Sequence, residues 1–198
     1  MAQVNPAIKP EMQTTIETEV KLACGDLGRL RDAGFTLTMS TPRHFEDNWL
    51  LDTRDQTLFE QRAALRVRAV NGKGVVTFKG VVPESEASPF KVREEIESEI
   101  SDPARMISVF EKLGFRRAFR YQKYRTNFSL LLDGAELKVS LDETPMGNFI
   151  EIEGNEATIV RVLEAAGFSS NDIIRESYPD LQLERCRARG VPLEDLVF

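Results

Sequence analysis

The sequence predicts an α+β fold in which mostly antiparallel strands are numerous enough to close into a barrel. Nine segments have the alternation, or the β-branched and aromatic content, that is typical of strands. Two pairs of these segments are joined across Asn71-Gly72 and Asp133-Gly134, which are dipeptides typical of tight hairpin turns. The helical segments are few and amphipathic, so we expect them to cover the apolar faces of the strands from outside.

The elements follow one another in a simple order. Residues 1–14 carry Pro6 and Pro10 among polar residues and predict a flexible leader, so a single domain is expected at residues 15–198. Strands are predicted at residues 15–23, 35–40, 45–53, 63–70, 74–80, 90–100, 117–131, 136–142 and 147–153. Helices are predicted at residues 26–33, 103–113 and 156–166, with one or two more after Ser170.

The three predicted helices share one kind of ending, in which a glycine can take the left-handed conformation and a phenylalanine can fold back on the last turn. The endings are Ala33-Gly34-Phe35, Leu113-Gly114-Phe115 and Ala166-Gly167-Phe168. Two helix starts are also marked, by Asp102 ahead of Pro103 and by Asn155 ahead of Glu156. We interpret these residues as structural signals that begin and end helices, without a chemical role.

Composition excludes several classes of protein. The formal net charge of the 198 residues is −6, which argues against long nucleic acid as a partner, since binding to a phosphate backbone needs a basic surface. No apolar stretch approaches the roughly 20 residues of a membrane span, and the first residues do not resemble a signal peptide. We therefore expect a cytoplasmic protein that has no membrane partner.

Cysteine and histidine usage narrows the possible chemistry. Cys24 and Cys186 do not make a disulfide framework in a chain of this size, so both are interpreted as free thiols. His44 is the only histidine, which argues against an imidazole zinc site and against a Ser/His/Asp triad. Acid, base and metal chemistry would then depend on carboxylates.

Charged residues alternate on several predicted strands, and this alternation is the most informative pattern in the chain. A period of two places Glu17, Glu19 and Lys21 on one strand face, and Glu151 and Glu153 on another. Cations repeat in the same way on the strands between them, at Arg66, Arg68, Lys79, Lys123 and Arg125. Each face could simply point to water, but the clustering on several strands favours a barrel interior with a cationic wall and an acidic pole.

Such an interior suits a chain of phosphates. Arginine holds phosphate oxygens with a bidentate fork and lysine with a point charge. Carboxylates beside these cations would repel the ligand unless a divalent cation lay between, and all-oxygen ligation suits Mg²⁺ or Mn²⁺. The pattern therefore predicts a small molecule that contains a triphosphate or polyphosphate, bound together with Mg²⁺ or Mn²⁺.

The same residues carry a family resemblance. The run Glu17-x-Glu19-x-Lys21 resembles the signature of the CYTH superfamily, the triphosphate tunnel metalloenzymes, which include class IV adenylate cyclases, thiamine triphosphatases and inorganic triphosphatases. Later motifs resemble those of the family in order: Ala64-Leu65-Arg66-Val67-Arg68, Thr77-Phe78-Lys79-Gly80, Arg93-Glu94-Glu95-Ile96-Glu97, Lys123-x-Arg125, Leu141-Asp142-Glu143, Gly147-Asn148-Phe149-Ile150-Glu151-Ile152-Glu153 and Ser177-Tyr178-Pro179-Asp180-Leu181.

The resemblance implies a closed antiparallel tunnel of about eight strands with helices packed outside. It implies that the metal ligands are Glu17, Glu19, Asp142, Glu151 and Glu153. It implies that the phosphate-binding residues are Lys21, Arg66, Arg68, Lys79, Arg93, Lys123 and Arg125, and Lys138 fits the strand register as an eighth cation. Glu95 and Glu97, with Lys21, are the implied catalytic residues, one of the two glutamates positioning water or helping to hold a second metal.

Three functions remain open at this point. The preferred one is a metal-dependent triphosphatase acting on tripolyphosphate or on thiamine or nucleoside triphosphate, because it needs only the triphosphate and water. The alternative is a class IV adenylate cyclase that converts ATP to cyclic AMP and pyrophosphate. The third is a non-catalytic module that binds a phosphate metabolite, which the intact acidic residues argue against. The oligomeric state and the roles of His44 and Trp49 are not predicted.

One departure from the family pattern concerns the mouth of the tunnel. The family often carries an aromatic-Phe-Asp run before the arginine strand, and the comparable stretch here is Trp49-Leu50-Leu51-Asp52. We expect this difference to alter the contacts made with an organic group of the substrate and to leave the phosphate chemistry unchanged.

Overall fold

A computed structural model describes residues 14–23, 25–83 and 88–198. The predicted leader, apart from Thr14, and the predicted free thiol of Cys24 lie outside these residues. The elements are β1 (Thr15–Ala23), α1 (Gly28–Asp32), β2 (Leu37–Asp52), α2 (Thr57–Glu60), β3 (Ala64–Val70), β4 (Lys73–Val81), β5 (Lys91–Ile100), α3 (Pro103–Lys112), β6 (Arg116–Leu132), β7 (Ala135–Thr144), β8 (Gly147–Glu153), α4 (Glu156–Ala165), β9 (Ile173–Ile174) and α5 (Tyr178–Ala188).

Eight strands form a closed antiparallel barrel, as predicted. The strands follow one another around it in the order β5, β4, β3, β2, β6, β7, β8 and β1, and the pairing of β1 with β5 closes the ring. The ninth strand, β9, adds to the edge of β1 beyond the end of β5. Closure leaves no free edge in the ring, and eight strands enclose a space just wide enough for side chains and a small ligand.

Apolar strand faces point outward and are covered by helices, which leaves the charged faces inside. Leu65 and Val67 of β3 pack with Ile107 of α3 in one buried cluster. Ile152 of β8 packs with Ile159 of α4 in another. Both arrangements confirm the prediction that amphipathic helices cover the barrel, because burial of these apolar side chains removes them from water.

The helix endings form as the glycines predict. Gly34, Gly114 and Gly167 have φ angles of 86°, 99° and 68°, in the left-handed region. The following phenylalanine N–H donates back to the carbonyl five residues earlier in each case, as Phe168 does to Leu163 at 2.8 Å. These are the paired bonds of a Schellman ending, which satisfy carbonyls that a helix terminus leaves free. Within the described residues, none of the helices combines the length and the apolar character that crossing a membrane requires.

Three elements differ from the prediction. The two strands expected at residues 35–40 and 45–53 are one strand, β2, whose pairing with β6 shifts register near Thr41 and His44. Such bulges bend a strand without ending it, so Pro42 does not separate two elements here. The short helix α2 and strand β9 were not predicted, because four and two residues are too few for a periodic pattern to show.

Candidate active site

The barrel encloses a cavity of about 1020 Å³ whose lining is mostly charged. Every predicted site residue except Asp142 lines this cavity. Nine of its cations come from six strands, and Arg62 and Arg175 add two from outside the strands. The nine are Lys21 on β1, Arg66 and Arg68 on β3, Lys79 on β4, Lys91 and Arg93 on β5, Lys123 and Arg125 on β6, and Lys138 on β7. The alternation that the sequence shows on separate strands is therefore one continuous charged surface in space.

Carboxylates meet where β5, β1 and β8 lie side by side. Glu17 of β1 is hydrogen-bonded to Glu95 of β5 and to Glu153 of β8. Burial and the hydrogen bond to Glu17 raise the pKa of Glu95 to about 8. Burial and the charge of Glu17 also raise the pKa of Glu153. Burial alone would raise the pKa of Glu17, but these hydrogen bonds and the charge of Lys79 outweigh it and hold that pKa below its usual range.

This distribution of charge makes Glu17 the ionised acceptor and Glu95 a protonated donor at neutral pH, and it shifts the pKa of Glu153 upward. Like charges at hydrogen-bond distance cannot all be ionised without a compensating cation, so protons take that place. Lys79 supplies part of the compensation, because its Nζ donates to Glu17 Oε2 at 2.8 Å and also contacts Glu95 Oε1.

The donor set fits a divalent cation in its chemistry. Glu17, Glu19 and Glu153 offer carboxylate oxygens only, which are the ligands that Mg²⁺ and Mn²⁺ prefer. Glu19 lies opposite Glu153 in the β1–β8 register, and its oxygen lies 3.4 Å from Lys91 Nζ. Among the residues that the structure describes, no three such side chains converge tightly enough to form a finished metal site. Binding of a cation would therefore exchange ion pairs and protons for metal contacts.

Arg66 and Arg68 point into the cavity from β3. Arg66 Nη2 donates to Thr77 Oγ1 at 3.0 Å and lies 3.4 Å from Glu97 Oε1. Arg68 Nη1 donates to Glu46 Oε1 at 3.2 Å. Thr77 in turn donates to Glu97 Oε1 at 2.7 Å. Each guanidinium has five N–H donors, so these contacts orient the forks and leave donors for a ligand.

Asp142 is buried behind the side chains that line the cavity and does not line the cavity itself. Its side chain is fully buried, and its oxygens accept hydrogen bonds from Arg125 Nε at 2.5 Å, Arg125 Nη2 at 2.6 Å, Lys123 Nζ at 2.8 Å and the Tyr178 hydroxyl at 2.6 Å. Four donors occupy most of the acceptor capacity of a carboxylate. The geometry favours a positioning role for Asp142, and its predicted role as a metal ligand stays a prediction.

Glu151 and Lys21 line the cavity near Tyr178, the first residue of α5. Glu151 contacts Arg125 Nη2, and its Oε1 lies 3.6 Å from Lys21 Nζ. Lys21 Nζ also donates to the carbonyl of Glu176 at 3.0 Å and lies 4.1 Å from the centre of the Tyr178 ring. Burial lowers the pKa of Lys21. Glu151 is thus held between two cations, whereas Glu17 contacts one cation, Lys79, and two other carboxyl groups.

The remaining predicted cations are more open. Lys138 Nζ donates to Glu153 Oε2 at 2.8 Å and about half of its side chain is exposed. Arg93 is half-buried, and burial lowers its pKa ahead of the opposing charge of Glu19. Glu97, one of the predicted catalytic residues, is also about half exposed, and it holds Arg66 and Arg68 rather than joining the carboxylates around Glu17.

Four residues of the site were not among the predicted ones, and one of them is Lys91, which pairs with Glu19. Glu46 is buried on β2 and its oxygens lie 3.2 Å from Arg68, 3.6 Å from Lys123 and 3.4 Å from His44. Thr77 and Tyr178 hold Arg66 and Asp142, as described above. The alternation of His44, Glu46 and Asn48 was a signal that could have placed Glu46 on the inner face of β2.

His44 and Trp49 take different places. His44 lies beside Glu46, whose hydrogen bond raises the pKa of the imidazole. Trp49 belongs to the outer cluster under α3, and the guanidinium groups of Arg117 and Arg120 lie 4.9 and 4.7 Å from its ring centre. Trp49 therefore packs on the outside of the barrel and is not directed at a ligand in the cavity.

Comparison with known proteins gives a consistent picture. The family model described as "CYTH domain" matches residues 15–178. A Methanocaldococcus jannaschii protein named "putative adenylate cyclase" is 29% identical over 182 residues, which cover 84% of this chain and 98% of that protein. A solved Pyrococcus horikoshii structure has a TM-score of 0.67 at 24% identity, over 85% of this chain and 99% of the other.

A third similarity concerns a Hippeastrum structure, with a TM-score of 0.56 and 22% identity over 90% of this chain and 97% of the other. That protein is named a "putative adenylyl cyclase" and is described as having a dominant triphosphatase activity. The two solved structures are too distant in sequence to carry more than the fold.

Proposed function

The chain belongs to the CYTH family, and from this premise we propose that it is a divalent-metal-dependent triphosphatase acting on tripolyphosphate or an organic triphosphate. One observation supports the proposal above the others. Cations from six strands share a single cavity with a group of crowded carboxylates, in which burial and neighbouring carboxyl groups raise the pKa values of Glu95 and Glu153. A polyanion would pair with the cations of this cavity, and a divalent cation would pair with its carboxylates.

Binding depends on the cations. Arg66 and Arg68 offer paired N–H donors to phosphate oxygens from one side, and Lys123 and Arg125 from another. Glu46, Thr77 and Asp142 hold these four side chains in place before the ligand arrives. Donors that are fixed in advance need no reorganisation during the reaction, which is the condition under which electrostatic stabilisation is largest.

Hydrolysis transfers the terminal phosphoryl group to water. The water oxygen forms a bond to the terminal phosphorus, the bond from that phosphorus to its bridging oxygen breaks, and the bridging oxygen leaves with the rest of the substrate. Lys21, Lys79 and Arg125 stabilise the negative charge that moves to the leaving group. In its ionised form Glu95 is suited to take the proton of the attacking water, because its pKa of about 8 lies near the working pH.

A bound Mg²⁺ or Mn²⁺, held by Glu17, Glu19 and Glu153, would supply neutralisation of the phosphate charge. Ionised carboxylates are the form in which these side chains would hold a divalent cation, and an ionised Glu95 is also the form that can accept a proton.

Adenylate cyclase activity is the second candidate, and the name of the M. jannaschii relative favours it. In that reaction the ribose 3′-hydroxyl attacks the α-phosphorus and pyrophosphate leaves. The same cations would hold the triphosphate, seated so that a different phosphorus faces the nucleophile. We place hydrolysis first because it needs only the triphosphate and water.

Product analysis separates the two activities. Purified protein is incubated with tripolyphosphate, ATP or thiamine triphosphate and with Mg²⁺ or Mn²⁺, and phosphate, pyrophosphate and cyclic AMP are resolved. We expect one phosphate per tripolyphosphate consumed, and phosphate with ADP from ATP. Stoichiometric pyrophosphate and cyclic AMP from ATP, with tripolyphosphate left intact, would overturn the triphosphatase and support the cyclase.

A further inference from the structure

Phe59 is an aromatic side chain that lines the cavity although 60% of its surface is exposed. It belongs to α2, in the connection between β2 and β3. The register pairs Leu51 with Leu65 and Ala64 with Lys79, so this connection lies at the end of the barrel where β2 ends and β3 begins. Phe59 therefore lies at a mouth of the tunnel, not in the packed core.

The segment that carries Phe59 is held firmly. Buried Asp52 accepts hydrogen bonds from the backbone N–H groups of Thr53 at 2.7 Å, Leu58 at 2.9 Å and Phe59 at 2.9 Å. Gln56 and Arg62, on either side of α2, adopt left-handed backbone conformations with φ of 58° and 53°. Non-glycine residues adopt that conformation at a cost that surrounding contacts must offset. The backbone at Phe59 is thus held in place by Asp52, while the ring itself is largely exposed.

The lining that the α2 connection contributes is mixed in character. Phe59, Ala63 and Ala64 are apolar, and Glu60 and Arg62 between them are charged, so Phe59 is the one large flat apolar side chain that this connection offers to the cavity. The volume of about 1020 Å³ is at the upper end of the roughly 300–1,000 Å³ of sites for drug-sized ligands. The cavity therefore has room for an organic group beyond the phosphates.

We propose that Phe59 stacks on a planar ring of an organic triphosphate, such as a nucleobase, while the phosphates lie deeper among the arginines. The proposal rests on the proposed triphosphate substrate and names the part of the site that meets its organic end. Every aromatic ring has a flat face, so stacking on Phe59 favours organic triphosphates over tripolyphosphate and discriminates little between bases. Asp52 is the positioning residue for Phe59.

The test compares binding of two ligands that resist hydrolysis, β,γ-imido-ATP and imidotriphosphate, by calorimetry in Mg²⁺. Phe59→Ala is expected to weaken β,γ-imido-ATP binding about tenfold, as loss of one aromatic stack does. Imidotriphosphate binding should stay unchanged, which also shows that the variant is folded. Phe59→Trp should restore the affinity. The matched control is Phe198→Ala, because Phe198 is 62% exposed and packs against Tyr124 on the outer face.

Equal losses for both ligands, or no loss for either, would overturn the role of Phe59. Tight binding of both ligands without hydrolysis of ATP or tripolyphosphate would overturn the proposed triphosphatase, while the ratio of the two affinities still decides the role of Phe59. Binding of neither ligand by the unsubstituted protein would overturn both proposals.

Discussion

Arg125 donates two parallel hydrogen bonds to Asp142, from Nε at 2.5 Å and from Nη2 at 2.6 Å, and both side chains are buried. The pair fixes the guanidinium plane, so the cation that faces the cavity has one orientation. Lys123 and Tyr178 complete the contacts of the same carboxylate. Asp142, which does not line the cavity, thereby determines the positions of two cations that do, Lys123 and Arg125.

Replacement of this carboxylate should cost stability. In Asp142→Asn the cations Lys123 and Arg125 lose their buried counterion, so the free energy of unfolding should fall by about 3 kcal/mol, at the lower end for a broken buried pair because Glu151 remains as a partner of Arg125. Tyr178→Phe removes one hydrogen bond to a charged acceptor and should cost about 1.5–3 kcal/mol. Urea unfolding measures both values.

The same variants distinguish positioning from metal binding. If Asp142 only positions cations, Asp142→Asn weakens tripolyphosphate binding and leaves the Mg²⁺ concentration needed for half-maximal activity unchanged. A large rise in that concentration would instead support the metal-ligand role. Glu143→Gln is a suitable control, since Glu143 pairs with Arg43 in a salt bridge whose two side chains are partly exposed.

Loss of the carboxylates should affect turnover through the metal. Glu19→Gln and Glu153→Gln are each expected to reduce kcat on the order of 10²-fold or more, the scale of a lost electrostatic contribution to the transition state. EDTA should abolish activity and added Mn²⁺ or Mg²⁺ should restore it. Glu99→Gln, on the exposed part of β5, is the matched control. Full activity in EDTA would contradict the metal dependence.

The arginines of β3 should bind phosphate whatever the organic group. Arg66→Ala and Arg68→Ala are expected to raise the KM for tripolyphosphate and for ATP by similar factors, on the order of tenfold or more, because each loses charge-assisted hydrogen bonds. Lysine at either position should recover part of the loss, since it restores the charge without the fork. Arg105→Ala, on the outer surface at α3, is expected to have no effect. Unchanged affinity in both β3 variants would show that these arginines do not contact the substrate.

Glu95 predicts a pH dependence of stability. Its pKa rises from 4.5 to about 8 on folding, so between these values the native state binds more protons than the unfolded state. The free energy of unfolding in EDTA should therefore fall as the pH rises from 4.5 through 8. Glu153, whose pKa is also raised, acts in the same direction. Glu17 acts below pH 4.5, outside this window, because its pKa is lowered.

The Glu95→Gln variant isolates this effect. It removes the titration while His44, whose pKa is also raised, contributes equally to both proteins. We expect the unsubstituted protein to lose more stability than the variant between pH 6 and pH 8.5, measured by urea unfolding. Parallel curves for the two proteins would show that Glu95 does not hold a proton in this range.

Much of the barrel could be predicted because its signals are local. Alternation along β1, β3 and β8 fixes which residues share a face, and each glycine after a helix fixes where that helix ends. Element boundaries were less predictable where the backbone bends without stopping, as at Pro42 in β2. The four-residue helix α2 depends on hydrogen bonds to Asp52 from residues up to seven positions away, which no periodic pattern shows.

The sequence by itself determined that carboxylates and cations would alternate with apolar residues on several strands, because a strand places successive side chains on opposite faces. Only the tertiary structure decided which of these charged side chains contact one another and how deeply each is buried. Closure of the barrel places Glu95 and Glu153 against Glu17, where burial and crowding raise the pKa values of both. It also buries Asp142 behind the cavity lining, where Arg125, Lys123 and Tyr178 surround it. These differences arise from the registers between strands distant in sequence, since a register sets which charges meet and how far each is buried.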